Sequence, residues 1–108
     1  MAWVSADPVT NPTAGQELVG VEFTANGIVY VVVVISTNLA FDAIFQRRRA
    51  NSAVIADAQI LPVNASLFAS PRLGPINAVK GERLRVISRN AITGEVNASL
   101  FLEEARTA

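Results

Sequence analysis

The 108-residue chain has no cysteine and no histidine. Without cysteine there is no disulfide framework, no thiol nucleophile and no thiolate-held metal, and redox compartment is left unspecified. Without histidine the commonest general base and the commonest transition-metal ligand are both missing. Aromatic residues are 6% of the chain, with one Trp and one Tyr. Nine Lys and Arg balance nine Asp and Glu, so no net field draws the molecule to nucleic acid or anionic lipid. The longest apolar run, residues 28–35, is eight residues, far short of the ~20 of a membrane helix. The opening Met1-Ala2-Trp3-Val4-Ser5-Ala6-Asp7-Pro8 has neither the basic leader nor the apolar stretch of a secretory signal. A soluble protein is expected.

What the chain does have is apolar mass. Hydrophobic residues are 51% and charged residues 17%, which at this length predicts one domain with a packed core. Residues 1–16 stand apart, with Pro8, Pro12 and Gly15 among Asp, Asn, Thr and Ser. Proline fixes its own backbone and extends the residue before it. An extended N-terminal arm is expected here, dispensable for folding, either loose or ordered against a neighbour through Trp3 and Val4. Residues 17–108 are expected to form the single domain.

From residue 17 the period is two. Val19, Val21 and Phe23 alternate with Gly20, Glu22 and Thr24, and Asn26-Gly27 follows, a strong hairpin signal. Residues 28–35 are almost all β-branched and favour a strand. Phe41, Ala43 and Phe45 share a face opposite Asp42, Ile44 and Gln46, and Asn51-Ser52 marks a turn. Val54, Ala56, Ala58 and Ile60 make the next alternating face, Pro62 limits that strand, and Val63, Ala65 and Leu67 begin another. Residues 70–81, with Pro71, Gly74, Pro75 and Gly81, read as a long connection. Leu84 and Val86 then face in while Arg83 and Arg85 face out, and Val96, Ala98, Leu100 and Leu102 line the last strand. Seven to eight strands at this spacing, with no amphipathic helix, predict an all-β antiparallel β-sandwich. Asn64-Ala65-Ser66-Leu67-Phe68 recurs as Asn97-Ala98-Ser99-Leu100-Phe101, which predicts equivalent strands in the two sheets.

The catalytic inventory is thin. Only Asp42 and Asp57 sit mid-strand as carboxylates, and a Ser–Lys nucleophile would have to use Lys80, the single lysine, in a turn. Gly74 and Gly81 are isolated rather than part of a phosphate loop. Asp57 or Glu95 offers oxygen for calcium, but no D-x-D-x-D-G run is present. No catalytic, cofactor or metal residue is expected, and the protein is read as not an enzyme.

Two features point to partners instead. Arg47-Arg48-Arg49, with Arg83, Arg85 and Arg89, is either a solvated strand end or a set of ion pairs to a protein partner. Scarce aromatics argue against nucleic acid. Residues 28–35 are apolar on both faces, which a strand with one solvated face would not be. One of those faces, with Tyr30, Val32, Val33, Val34 and the out-of-phase Phe101, is expected to be a self-association interface.

A Phe-rich strand ending in arginine (41–49), then Val79-Lys80-Gly81-Glu82-Arg83-Leu84-Arg85-Val86, then Thr93-Gly94-Glu95-Val96-Asn97-Ala98-Ser99-Leu100, resembles small jelly-roll-like β-sandwich virion proteins of tailed phages, the head decoration or cement proteins. The resemblance implies a jelly-roll sandwich and a non-catalytic homo-oligomer, trimeric rather than dimeric. It also implies a seat on the major capsid protein at the outer capsid surface, after assembly in the host cytoplasm. The alternative is a carbohydrate- or ligand-binding sandwich. Trp3 and Tyr30, one in the arm and one in the apolar strand, are poorly placed to serve as its sugar platforms.

Overall fold

The structure, a computed structural model, describes residues 2–50, 54–64 and 66–104. It holds ten strands: β1 (Ala2–Ser5), β2 (Val9–Thr10), β3 (Glu17–Glu22), β4 (Gly27–Ser36), β5 (Phe41–Arg48), β6 (Ile55–Val63), β7 (Leu67–Ala69), β8 (Leu73–Ala78), β9 (Arg83–Ser88) and β10 (Glu95–Glu104). One sheet has six strands in the order β1-β10-β4-β7, with β2 also on β10 and β8 also on β4; the other is β3-β9-β5-β6. Every pairing is antiparallel.

The pairing is nested. β1 and β2 lie on β10, β3 on β9, β4 on β7 and β8, and β5 on β6. That is one long hairpin rolled up so that its chain alternates between two sheets, the jelly-roll arrangement. The expected all-β antiparallel sandwich is therefore the observed fold. Ten strands stand where seven or eight were expected because two edge positions are each split in two. Pro8 lies between β1 and β2, and Pro71 between β7 and β8.

The core fills the space between the sheets. β4 contributes Val29, Val31, Val33 and Ile35, and β10 contributes Val96, Ala98 and Leu100; Ala43, Phe45, Leu61, Val63, Leu84 and Val86 face them from the other sheet. Burying each such Val, Leu, Ile or Phe is worth roughly 1.5–3 kcal/mol. The inward phase of Leu84, Val86, Val96, Ala98 and Leu100 is the one their alternation predicts.

Several expectations are corrected. Asn26-Gly27 does not close a hairpin, because β3 and β4 belong to different sheets; the pair makes a corner, where Asn26 Oδ1 accepts from Lys80 N at 2.8 Å. Residues 70–81 are not merely a connection but contain β8. Its prolines and glycines are tolerated because β8 is an edge strand, with Gly74 at φ 122° beside a shift in register against β4. Pro62 does not end β6 but sits inside it, again on an edge. In β6 the buried residues are Leu61 and Val63, so Ala58 and Ile60 face solvent. The repeated five-residue motif marks two strands of the same sheet, flanking β4 on either side. The turn at Asn51-Ser52 and the placement of Ala65 lie outside the described residues.

The N-terminal segment is extended, as expected, but it is paired within its own chain. β1 runs along β10 with Trp3 opposite Phe101 and Val4 opposite Leu100, and β2 continues on the same edge. Pro12 is fully buried, and Val4, Ala6 and Val9 pack against the core. The segment is an edge of the sandwich rather than a separate arm.

Candidate functional site

Alternation along β4 sends odd-numbered residues inward and even-numbered residues outward. Val33 is completely buried in the core, so it cannot belong to an intermolecular face. Tyr30, Val32 and Val34 point the other way and are half-buried. Across the sheet, Val32 lies opposite Phe101, which lies opposite Trp3. The next outward row is Ser5, Ser99, Val34 and Ala69. The rings of Trp3 and Phe101 meet at 4.8 Å between centroids, tilted by 55°. Four of the five residues expected at a self-association face, together with Trp3, thus form one continuous outer surface of the six-stranded sheet. Trp3 is 61% exposed on it.

The rim of this face is polar. Beyond Val32, Tyr30 stands opposite Glu103, and the Arg72 guanidinium lies 3.8 Å over the Tyr30 ring while pairing with Glu103 at 3.1 Å. At the other end Ser36 is flanked by Asn97 and by Leu67, and Leu67 is 65% exposed. Leu67, Ala69 and Arg72 were not singled out from the sequence, because only the long-range pairing of β7 with β4 brings them here. An apolar centre with a polar rim is the anatomy of a protein–protein contact. Val4, expected beside Trp3 as a partner contact, is on the inner face instead.

The three consecutive arginines do not act together, because a strand sends its neighbours to opposite faces. Arg47 turns inward at the mouth of the sandwich, where Nη2 pairs with Asp57 at 2.8 Å, Nη1 pairs with Glu82 at 3.3 Å and Nη1 also donates to the Asn77 carbonyl at 2.8 Å. It is an internal tie between the sheets, not a partner contact. Arg48 is on the outer face of the four-stranded sheet, opposite Arg83, and Arg49 is exposed. On that face Arg83 donates to both oxygens of Glu17 at 2.7 Å. This hydrogen bonding holds the Glu17 carboxyl below the ordinary carboxylate range and raises Arg83 above its own. Arg85 donates to Gln46 at 2.9 Å, and Arg89 pairs with Asp42 at 3.2 Å.

Asp42 and Asp57 occupy opposite faces of the sheet, each with its own arginine. Asp57 and Glu95 lie in different sheets, and the described residues hold no group of three or more potential metal ligands. A cleft of about 260 Å³ opens between the β6 and β8 edges, lined by Phe45, Arg47, Gln59, Leu73, Pro75 and Ile76 among others. Arg47 Nε is buried there with no hydrogen-bond partner among the described residues. No protein-family model, no curated protein and no solved structure matches this chain.

Proposed function

We propose that this protein is a non-catalytic structural component of a virion, a capsid decoration protein that self-associates and seats on the outside of a shell of major capsid protein. The observation that carries the reading is the outer face of the six-stranded sheet. Trp3 packed against Phe101, beside Val32 and Val34, gives a contiguous apolar centre inside a rim of Ser, Asn and an Arg–Glu pair. Such a face on a small domain is covered by a partner in its working state. The capsid as partner, and a trimer as the assembly, rest on the resemblance of residues 41–104 to decoration proteins. In this reading Arg48 and Arg49, which form no ion pair among the described residues, are free to meet carboxylates of the shell.

The ligand-binding alternative would use the cleft beside Arg47. At about 260 Å³ it falls below the ~300–1,000 Å³ of small-molecule sites, and its one aromatic, Phe45, is buried. The deciding experiment is co-sedimentation of the purified protein with shells assembled from a major capsid protein encoded beside it. Saturable binding supports the proposal. A chain that stays in the supernatant, or has no capsid gene as a neighbour, contradicts it.

A further inference from the structure

The outer face of the four-stranded sheet is ordered in rows across its strands. Glu17, Ile87, Ile44 and Ile60 make one row, Gly20, Arg85, Gln46 and Ala58 the next, and Glu22, Arg83 and Arg48 the third. An apolar row, with Ile60 50% exposed, thus adjoins two rows that carry three guanidiniums. On the other side of the isoleucines the face closes on the mutual pair of Asp42 and Arg89.

The charges of these rows do not cancel. Arg48 stands directly opposite Arg83, a like-charge pairing that costs stability in a sheet. Glu17 reaches over Gly20 and accepts on both oxygens from Arg83 at 2.7 Å. A Cβ at Gly20 would lie 2.6 Å from Glu17 Oε1, so the glycine makes room for the carboxylate on the sheet. That carboxyl is held below the ordinary range by its hydrogen bonds from Arg83 and by the charges of Arg83, Arg85 and Arg48. Arg85 spends one donor on Gln46. Among the described residues, Arg48 makes no side-chain hydrogen bond, and neither Arg48, Arg85 nor Glu22 makes an ion pair. Most N–H donors of Arg48 and Arg85 are therefore uncommitted, on a diagonal of about 7–8 Å at their stems.

We propose that this face docks an acidic segment of a protein partner, which sets a carboxylate between Arg48 and Arg85 and apolar side chains on Ile44 and Ile60. Glu17 shows the fit: one carboxylate already lies among the three arginines, and the planar guanidinium fork matches its geometry. Charge complementarity calls for a second. The adjoining isoleucines favour a peptide over nucleic acid, and among the described residues no aromatic ring on this face offers a base a stacking platform. The surface lies on the opposite side of the sandwich from Trp3 and Phe101. It rests on the capsid reading only for the source of the segment, the shell; the chemistry it recognises is set by its own residues.

The test is an amide NMR titration of the full chain with a short synthetic peptide of Glu, Leu and Ser. The same peptide with Gln for Glu, and a DNA duplex, are the comparison arms. The Glu peptide is expected to shift the amides of Ile44, Arg48 and Arg85, and the other two probes to leave them in place. Arg48→Gln and Arg85→Gln are each expected to weaken binding several-fold, as is added salt. Lys80→Gln removes the same charge from a turn elsewhere and is expected to leave binding unchanged. Glu17→Gln frees Arg83 and is expected to tighten it. A Glu peptide that binds here while the native chain fails to co-sediment with shells would remove the capsid reading and leave this surface standing. Equal binding of the Gln peptide, DNA shifting the same amides, or indifference to both Arg48→Gln and Arg85→Gln would overturn the proposal.

Discussion

Trp3 and Phe101 are direct partners across β1 and β10, and their rings meet in a tilted contact at 4.8 Å between centroids. The contact joins the first strand of the chain to the last and places the single tryptophan on the apolar outer face. It also reassigns the N-terminal segment, whose described residues, 2–16, hold an edge of the fold as well as part of its surface.

Deleting residues 1–16 is therefore expected to destabilise the sandwich. It strips the β10 edge, exposes core contacts of Val4, Ala6 and Val9 and removes the buried Pro12. Trp3→Ala is milder: an aromatic pair is worth about 0.5–1.5 kcal/mol beyond its area, and most of the Trp3 side is open to solvent. Thermal melts separate the two. A truncation that melts with the full chain would restore a free arm.

Val33→Asp buries a carboxylate at a position with no exposure, inside the hydrophobic core. The cost is several kcal/mol, enough to abolish the cooperative melt followed by circular dichroism. A folded Val33→Asp protein would contradict the inward phase of β4.

Replacing the arginines one at a time is expected to split them. Arg47→Gln strips the ion pair from Glu82, whose side chain is only 4% exposed, and losing one partner of a buried charge costs about 3 kcal/mol or more. Arg48→Gln and Arg49→Gln should each change stability by less than about 0.5 kcal/mol. Equal effects at all three positions in urea unfolding would refute the internal role of Arg47.

The Glu17–Arg83 pair sets an acid-sensitive contribution. Because the folded Glu17 carboxyl titrates below its unfolded value, its contribution is fully present above the ordinary carboxylate range and is lost as pH falls through the depressed folded value. The Glu17→Gln variant is expected to lose stability at neutral pH and to show a shallower fall between neutral and acid conditions. Parallel pH profiles for the two proteins would sink this assignment.

The strands and their phase were legible wherever alternation was strong and one face was buried, as at Leu84-Arg85-Val86 and Val96 to Leu100. The two-faced character of β4 was legible too, but not which parity faced inward, because Val32 and Val33 are chemically the same. That choice is made by the partners: Val33 sits across from Leu100 and Val32 from Phe101. Edge strands were the hardest to see. Pro62 and Pro75 punctuate a sequence as breaks, yet an edge strand needs hydrogen bonds on one side only. The union of Trp3 with Val32 and Phe101 depends on pairing across almost the whole chain, which no local pattern encodes.

The central claim is that the outer face of the six-stranded sheet is a contact surface, and sedimentation velocity of the native chain beside Val32→Asp at micromolar concentration tests it most directly. The native protein is expected to sediment as an assembly of 11.5 kDa chains, and Val32→Asp as a smaller one with unchanged β-type circular dichroism. A native protein that sediments as a single chain, or a Val32→Asp variant that sediments identically to it, would contradict the account.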